Sequence, residues 1–433
     1  MRREKLRNIA IIAHVDHGKT TLIDKVLQQA GMLQRGEDQQ ERLMDSNDIE
    51  RERGITILAK NTAIDWKEHR INIIDTPGHA DFGGEVERIL SMVDSVLLLV
   101  DAVEGPMPQT RFVTRKAFEN NLCPIVMVNK IDREGVRPDW VVDQVFDLFD
   151  QLGANNEQLD FPVVYGSALT GCAGRSMEHI EDSLECLMQT VIDYVPGPDV
   201  TVDGPLQMQI SALDYNSYVG VVGLGRIVSG ELNSGDQVIV VDKQGAERSG
   251  RVLQVLDYQG LERIEVKRAQ AGDIVSVSGI DELQISDTLC TPGRVQPLPP
   301  LTVDEPTISM TFQVNDSPFA GRDGRYITSR NIKERLEQEA LHNVALRVAE
   351  TDSPDKFKVS GRGELHLAVL IENMRRESYE LGVGRPEVIY KEIDGVTQEP
   401  LEDLVVDVES GHQGAIMEEL GGRKAMLANM AQD

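Results

Sequence analysis

Long apolar runs, paired cysteines and an excess of basic residues are all missing from this sequence. No apolar stretch in its 433 residues approaches the roughly 20 that a membrane-spanning helix requires, so no membrane partner is expected. The opening MRREKLRNIA is basic but passes straight into a strand-like IAIIAH, with neither the apolar core nor the cleavage site of a secretory signal. Internal repeats and low-complexity tracts are absent too. The four cysteines, Cys123, Cys172, Cys186 and Cys290, are scattered and never form a CxxC pair. That argues against a disulfide framework or a cysteine zinc site and suggests reduced thiols in the cytoplasm.

Positive charge is scarce as well. With 44 Lys and Arg against 72 Asp and Glu, the formal net charge is −28. A protein that coats nucleic acid is therefore excluded, because phosphate contacts depend on Lys and Arg. The deficit is uneven, however. From Asp304 to Lys391 there are 13 basic and 15 acidic residues, a net of −2, so contact with RNA through a local patch survives.

A chain of 433 residues is too long for one core and should divide into several domains. Up to about residue 195, the apolar runs IAIIAH, INIIDT, SVLLLVDA, CPIVMVNK and FPVVYGS alternate with helix-like segments. Continuous apolar runs predict strands buried on both faces, hence a doubly wound parallel sheet flanked by helices. The polar stretch Gln34–Gly54 interrupts this rhythm and reads as a functional or disordered loop. Val195–Pro205 (VPGPDVTVDGP) reads as a linker into a region of short Val-rich runs and regular turns, which suggests a small β-barrel. A second Pro-rich break, VQPLPPLTVDEP, opens a strand–helix–strand–strand–helix order, with helices near Ser329–His342 and Leu365–Ser378. That order suggests a ferredoxin-like α+β domain. One more strand (LVVDVES) and helix (HQGAIMEELGGRKAML) follow and cannot bury their own faces, so a fragment is expected. The expected fold class is multidomain α/β, with divisions at 1–198, 199–302, 303–394 and 395–433.

Chemistry concentrates at the ends of the predicted strands. AHVDHGKTT (Ala13–Thr21) leaves a strand and opens a helix, the setting of a phosphate-binding loop, although Ala13 replaces the usual first glycine. Amides of Asp16, His17, Gly18, Lys19, Thr20 and Thr21 would wrap phosphates at a positive helix end. Lys19 would reach the β- and γ-phosphates and Thr20 would ligate Mg²⁺. Asp75-Thr-Pro-Gly78 follows INIID: Asp75 could hold Mg²⁺ through water, and Gly78 lets backbone approach the γ-phosphate. Alone, that motif is an ordinary Pro-Gly turn. Arg53-Gly54-Ile55-Thr56 ends the polar stretch, and Thr56 could complete the Mg²⁺ shell and release it after hydrolysis, as a switch does.

Asn129-Lys130-Ile131-Asp132 follows CPIVMV. Asp132 could accept from N1–H and the exocyclic amine of guanine, a donor pair that adenine lacks. Asn129 would brace the loops, Lys130 would lie along the base, and Ser167-Ala168-Leu169 would offer backbone to the guanine oxygen. Three fixed positions recur by chance about once per 8,000 windows, so the ordered combination of motifs carries the argument. GTP and GDP, with Mg²⁺, are the expected ligands; Asn129 and Asp132 count against a P-loop kinase or ATPase.

AHVDHGKTT, RERGIT, DTPGHADF, NKID and GRGELHL together resemble the translational GTPases related to elongation factor G. MDSNDIERERGITILAKNTAI, EGPMPQTRFVTRKAF, RPDWVVDQVFDLFDQLG, MQISALDYNSYVGVVGLGRI and SGRGELHLAVLIENMRRESYEL resemble its BipA (TypA) branch of ribosome-binding GTPases. The resemblance implies a GTPase domain, a β-barrel, a ferredoxin-like domain and, from about residue 395, the start of a second ferredoxin-like domain. It implies that His79 positions the attacking water and that Val15 and Ile55 form an apolar gate restraining it. It also implies a GTP-hydrolysing switch that contacts ribosomal RNA and proteins, monomeric off the ribosome, in ribosome assembly or stress-adapted translation. A LepA-like or elongation factor G-like role in translocation is the alternative enzyme, and an assembly scaffold with incidental hydrolysis is the alternative of another class. His366 reads as a packing residue.

Overall fold

A computed structural model describes residues 1–32, 48–216, 220–301, 304–343 and 345–430. Most of the polar stretch before Thr56 therefore lies outside the described residues. Two compact units separate at Pro400 and Leu401. The first begins with β1 (Leu6–Ala13), α1 (Lys19–Gln29), α2 (Asp48–Arg53), β2 (Lys60–Trp66), β3 (His69–Asp75), α3 (Gly83–Leu90), β4 (Ser95–Asp101) and α4 (Pro108–Glu119). It continues through β5 (Cys123–Asn129), α5 (Pro138–Gln151), α6 (Asn156–Leu159), β6 (Val163–Ser167), β7 (Cys172–Ser176), β8 (His179–Glu181) and α7 (Glu185–Tyr194).

These strands form one eight-stranded sheet in the order β2-β3-β1-β4-β5-β6-β7-β8. Its five expected apolar strands, β3, β1, β4, β5 and β6, run parallel. The sheet is mixed rather than wholly parallel, because β2, β7 and β8 add antiparallel edges. Tight connections such as Lys67–Glu68, between β2 and β3, allow only antiparallel pairing. Side chains alternate across β1: Ile9, Ile11 and Ala13 pack with Leu22, Ile23 and Val26 of α1 and Leu187 and Val191 of α7. Ala10 and Ile12 pack on the other face with Val86 of α3, Val113 of α4 and Val145 and Phe149 of α5. Two-sided burial is why the runs are continuous in sequence.

Next come β9 (Gln207–Asn216), β10 (Gly220–Ser229), β11 (Glu231–Asn233), β12 (Gln237–Val241), β13 (Glu247–Arg251), β14 (Gln254–Gln259), β15 (Glu262–Val266), β16 (Arg268–Gln270), β17 (Ile274–Ser278) and β18 (Thr288–Cys290). An antiparallel sheet ordered β13-β12-β18-β9-β10-β17-β14-β15 and the short β11–β16 pair enclose one core, including Met208, Leu232, Val240, Ala269 and Val277. This part is tied to the first sheet. Arg226 Nη2 meets Asp94 Oδ1 at 2.7 Å, Arg70 Nη2 meets Asp257 Oδ1 at 2.7 Å, and Thr62 Oγ1 donates to the Gly260 carbonyl at 2.6 Å.

The third part has β19 (Ile308–Val314), α8 (Ser329–His342), β20 (Arg347–Glu350), β21 (Lys356–Gly361), α9 (Glu364–Arg376), β22 (Leu381–Val383) and β23 (Glu387–Val388). The antiparallel order β20-β21-β19-β22, with α8 and α9 in sequence between strands, is the ferredoxin-like arrangement. Phe312, Ile332, Leu336, Phe357, Leu367, Leu370 and Met374 fill its core. A hairpin of β24 (Lys391–Ile393) and β25 (Val396–Gln398) follows.

In the second unit, α10 (Gln413–Gly422) forms with none of its residues buried. The strand expected over LVVDVES does not form: Leu404–Glu409 have no regular structure. Apolar alternation makes a strand only where a neighbour completes its ladder, and no pairing reaches Leu404–Glu409 among the described residues. None of the four cysteines forms a disulfide. Among the described residues, no helix is long and apolar enough to cross a membrane.

Candidate functional site

The loops at the carboxyl ends of β1, β3, β5 and β6 converge, because parallel strands of one sheet all end on the same side. Between β1 and α1, the chain reverses through Asp16 at φ 63° and Gly18 at φ 93°, both left-handed. Gly18 is also pressed close: a Cβ there would lie 2.6 Å from Asn129 Nδ2. Lys19, Thr20 and Thr21 form the first turn of α1, whose opening amides have no intrahelical partner and face the loop. Lys19 is buried, and Thr20 and Thr21 are half-buried.

Asn129 ties three of these loops together. Its Nδ2 donates to the His17 carbonyl at 2.7 Å, and its Oδ1 accepts from the Ala168 amide at 2.8 Å. Ser167 and Ala168 are buried, whereas Leu169 is exposed, as is Asp132. Lys130, at φ 65°, turns its ammonium onto Asp101 Oδ2 at 2.9 Å. Burial alone would raise the Asp101 carboxyl, but Lys130 and the Val103 and Glu104 amides hold it down at about 2.

The turn after β3 packs against the first loop. A Cβ on Gly78 would sit 2.9 Å from the Ala13 carbonyl, so glycine is needed for the close approach. Asp75 is wholly buried, with Oδ1 2.9 Å from Lys19 Nζ. Desolvation pushes its carboxyl above the usual range while the Lys19 charge opposes the shift. The same ammonium donates to the Thr76 carbonyl. Thr56 Oγ1 approaches Asp75 Oδ2 at 3.5 Å, so Thr56, Asp75 and Lys19 share one buried locus. His79 is half-buried at the lip of this turn, with Nδ1 accepting from the Asp81 amide at 3.2 Å. Ile55 packs on a cluster of Ile49, Ile57, Phe82 and Val369, while the Val15 amide is held by Gln109 Oε1 at 3.2 Å. His366 is buried and packs in the third part, its Nε2 2.7 Å from Asn343 Nδ2.

Sequence reasoning missed four supporting residues: Gln109, Asp101, Asp81 and Glu50. Fully buried Glu50 accepts from the Ile57 and Leu58 amides at 2.9 and 3.1 Å and pairs with Lys60 at 2.6 Å, fixing the backbone beside Thr56. An acid in a polar, aperiodic stretch carries no local signal for that role. Asp101 did carry one, since it ends a buried apolar run as Asp75 does.

The Elongation factor Tu GTP binding domain family matches residues 4–197, and Elongation factor Tu domain 2 matches residues 220–290. The large ribosomal subunit assembly factor BipA of Salmonella typhimurium is 63% identical over 430 residues, covering 99% of this chain and 71% of that relative. Its counterpart in Escherichia coli strain K12 gives the same identity and coverage. That of Haemophilus influenzae is 62% identical over 432 residues, 99% of this chain and 70% of the relative. The chain therefore belongs to the BipA family and carries an elongation factor Tu-type GTP-binding domain.

Proposed function

We propose that this chain is a GTP-hydrolysing switch acting on the ribosome, in large-subunit assembly or in translation adapted to stress. The convergence of four strand-end loops, locked by Asn129 between His17 and Ala168, is the observation that carries the reading. The relatives' printed role in large ribosomal subunit assembly supports ribosomal RNA and proteins as partners. In this reading the protein works in the cytoplasm, monomeric between ribosome encounters, with domains at 1–198, 199–302, 303–394 and 395–433.

The amides of Asp16 to Thr21 and the close approach at Gly78 serve the phosphates. Lys19 exchanges Asp75 for the β- and γ-phosphates. Asp132, exposed for the purpose, accepts from the guanine edge, Lys130 flanks the base, and the backbone of Ser167, Ala168 and Leu169 meets the guanine oxygen. Thr20, Thr56 and, through water, Asp75 would hold Mg²⁺. These all-oxygen donors fit a hard cation, and the Thr56–Asp75 proximity brings two of them together. When bound, the ion would neutralise charge developing on the phosphates. His79 places the attacking water, restrained by Val15 and Ile55; phosphoryl transfer asks chiefly for such placement.

His79→Ala should leave GTP affinity near wild type and abolish ribosome-stimulated hydrolysis. Undiminished stimulation would overturn the assignment. Unaltered ribosomal-particle profiles in cells carrying a hydrolysis-dead variant would instead favour a scaffold.

A further inference from the structure

We propose that Asp81 is a positioning residue for His79 and that the amino terminus of α9 sets it. This deepens, and rests on, the reading of His79 as the group that places water. Asp81 lies in the short turn Ala80–Phe82, immediately after His79. Its carboxylate faces two ways. Oδ2 accepts from the Leu365 amide at 2.9 Å and the His366 amide at 3.4 Å. Oδ1 lies 3.5 Å from His79 Nδ1.

Leu365 and His366 occupy the second and third positions of α9, whose amides an N-cap side chain normally satisfies. The N-cap residue here is Gly363, which has no side chain to offer. Asp81, 284 positions before Leu365, supplies the missing oxygen from the first part of the chain. Gly363 is what admits it, since a Cβ there would overlap the Asp81 carboxyl group. The contact is backed by packing: Phe82 lies edge-on to both His79 and His366, at 6.4 and 5.9 Å between ring centroids. Leu365 and Val369 join Ile55, Ile57 and Phe82 in one apolar cluster.

This arrangement selects a tautomer. While Nδ1 accepts from the Asp81 amide it carries no proton, so the neutral ring is protonated at Nε2 and presents a donor on its far side. With α9 withdrawn, the freed carboxylate can accept from a protonated Nδ1, which turns a lone pair outward at Nε2. Docking of the third part thus decides what His79 offers to water, and Asp81 carries the message.

The test uses the whole chain with ¹⁵N-labelled histidine. Wild type should show His79 as the Nε2–H tautomer, and Gly363→Val, which displaces α9, should raise the Nδ1–H share. Asp81→Asn should move the tautomer back toward wild type in that background, because an uncharged carboxamide accepts from Nδ1–H less strongly than a carboxylate and can also donate to a bare Nδ1. An unchanged His79 spectrum in folded Gly363→Val overturns the proposal. Should Gly363→Val not fold, Gly363→Ala decides by the same spectrum, since its Cβ alone would overlap the Asp81 carboxyl group, and an unchanged His79 spectrum in it overturns the proposal. If His79→Ala keeps wild-type hydrolysis, the water-placing role fails, and the tautomer spectra of the Gly363 variants and wild type still judge the coupling.

Discussion

Asn129 and His17, 112 positions apart, are joined by a buried 2.7 Å hydrogen bond from side chain to backbone. The second arm of Asn129 holds the Ala168 amide. Asn129→Ala would leave a buried carbonyl and a buried N–H unpaired, at roughly 1–3 kcal/mol each. Urea unfolding should show that loss, and fluorescent-nucleotide titration should show weaker GTP binding because two loops lose their brace. Equal unfolding midpoints in wild type and variant would sink the bracing role.

Base choice is tested at Asp132. Asp132→Asn replaces an anion that accepts two donors with an amide that also donates, mispairing polar groups at roughly 1–3 kcal/mol each. Calorimetry should find GTP affinity sharply reduced and xanthosine triphosphate affinity raised. Unchanged GTP affinity would refute the guanine assignment.

Thr20→Ala removes a hydroxyl from the first turn of α1. Nucleotide affinity should lose its dependence on Mg²⁺, while affinity measured in chelator stays near wild type, because the backbone amides remain. An intact Mg²⁺ dependence would remove Thr20 from the ligand set.

The pH dependence of stability should carry the mark of His17. Burial drives its imidazole down to about 4, with His14 and Lys130 adding to the shift and the Leu99 carbonyl opposing it. The ring is therefore neutral at pH 7, and its 3.7 Å approach to Glu104 is no ion pair there. Between pH 6.5 and 4, the unfolded chain binds this proton and the folded chain does not. Stability then falls as pH is lowered through that window, by at most about 3 kcal/mol from this group. Urea titrations at pH 7, 6 and 5 should give a shallower slope for His17→Gln; parallel slopes would contradict the assignment.

Arg226 and Asp94 join the β10 strand to the loop before β4 at 2.7 Å, each side chain only 15% exposed. Burial already raises the Asp94 carboxyl, against the pull of Arg226 and Asn8. Arg226→Ala should destabilise by about 3 kcal/mol, since a buried charge loses its partner. Arg226→Ala with Asp94→Asn should recover part of that. A loss below ~0.5 kcal/mol for the single variant would class the pair as an exposed one.

The sequence by itself determined the parallel strands and the loops at their ends. Strands buried on both faces need unbroken apolar runs, and residues such as Lys19, Asn129 and Asp132 have a chemistry that few other side chains can supply. Tertiary structure alone decided the antiparallel edges β2, β7 and β8, and left Leu404–Glu409 without a ladder although its residues alternate like a strand. It alone decided that Glu50 would pin the backbone beside Thr56 and that Asp81 would cap α9. Periodicity reports which face of an element is buried. A carboxylate that satisfies an amide 284 positions away leaves no period behind, because its partner is chosen by how the first and third parts of the chain meet.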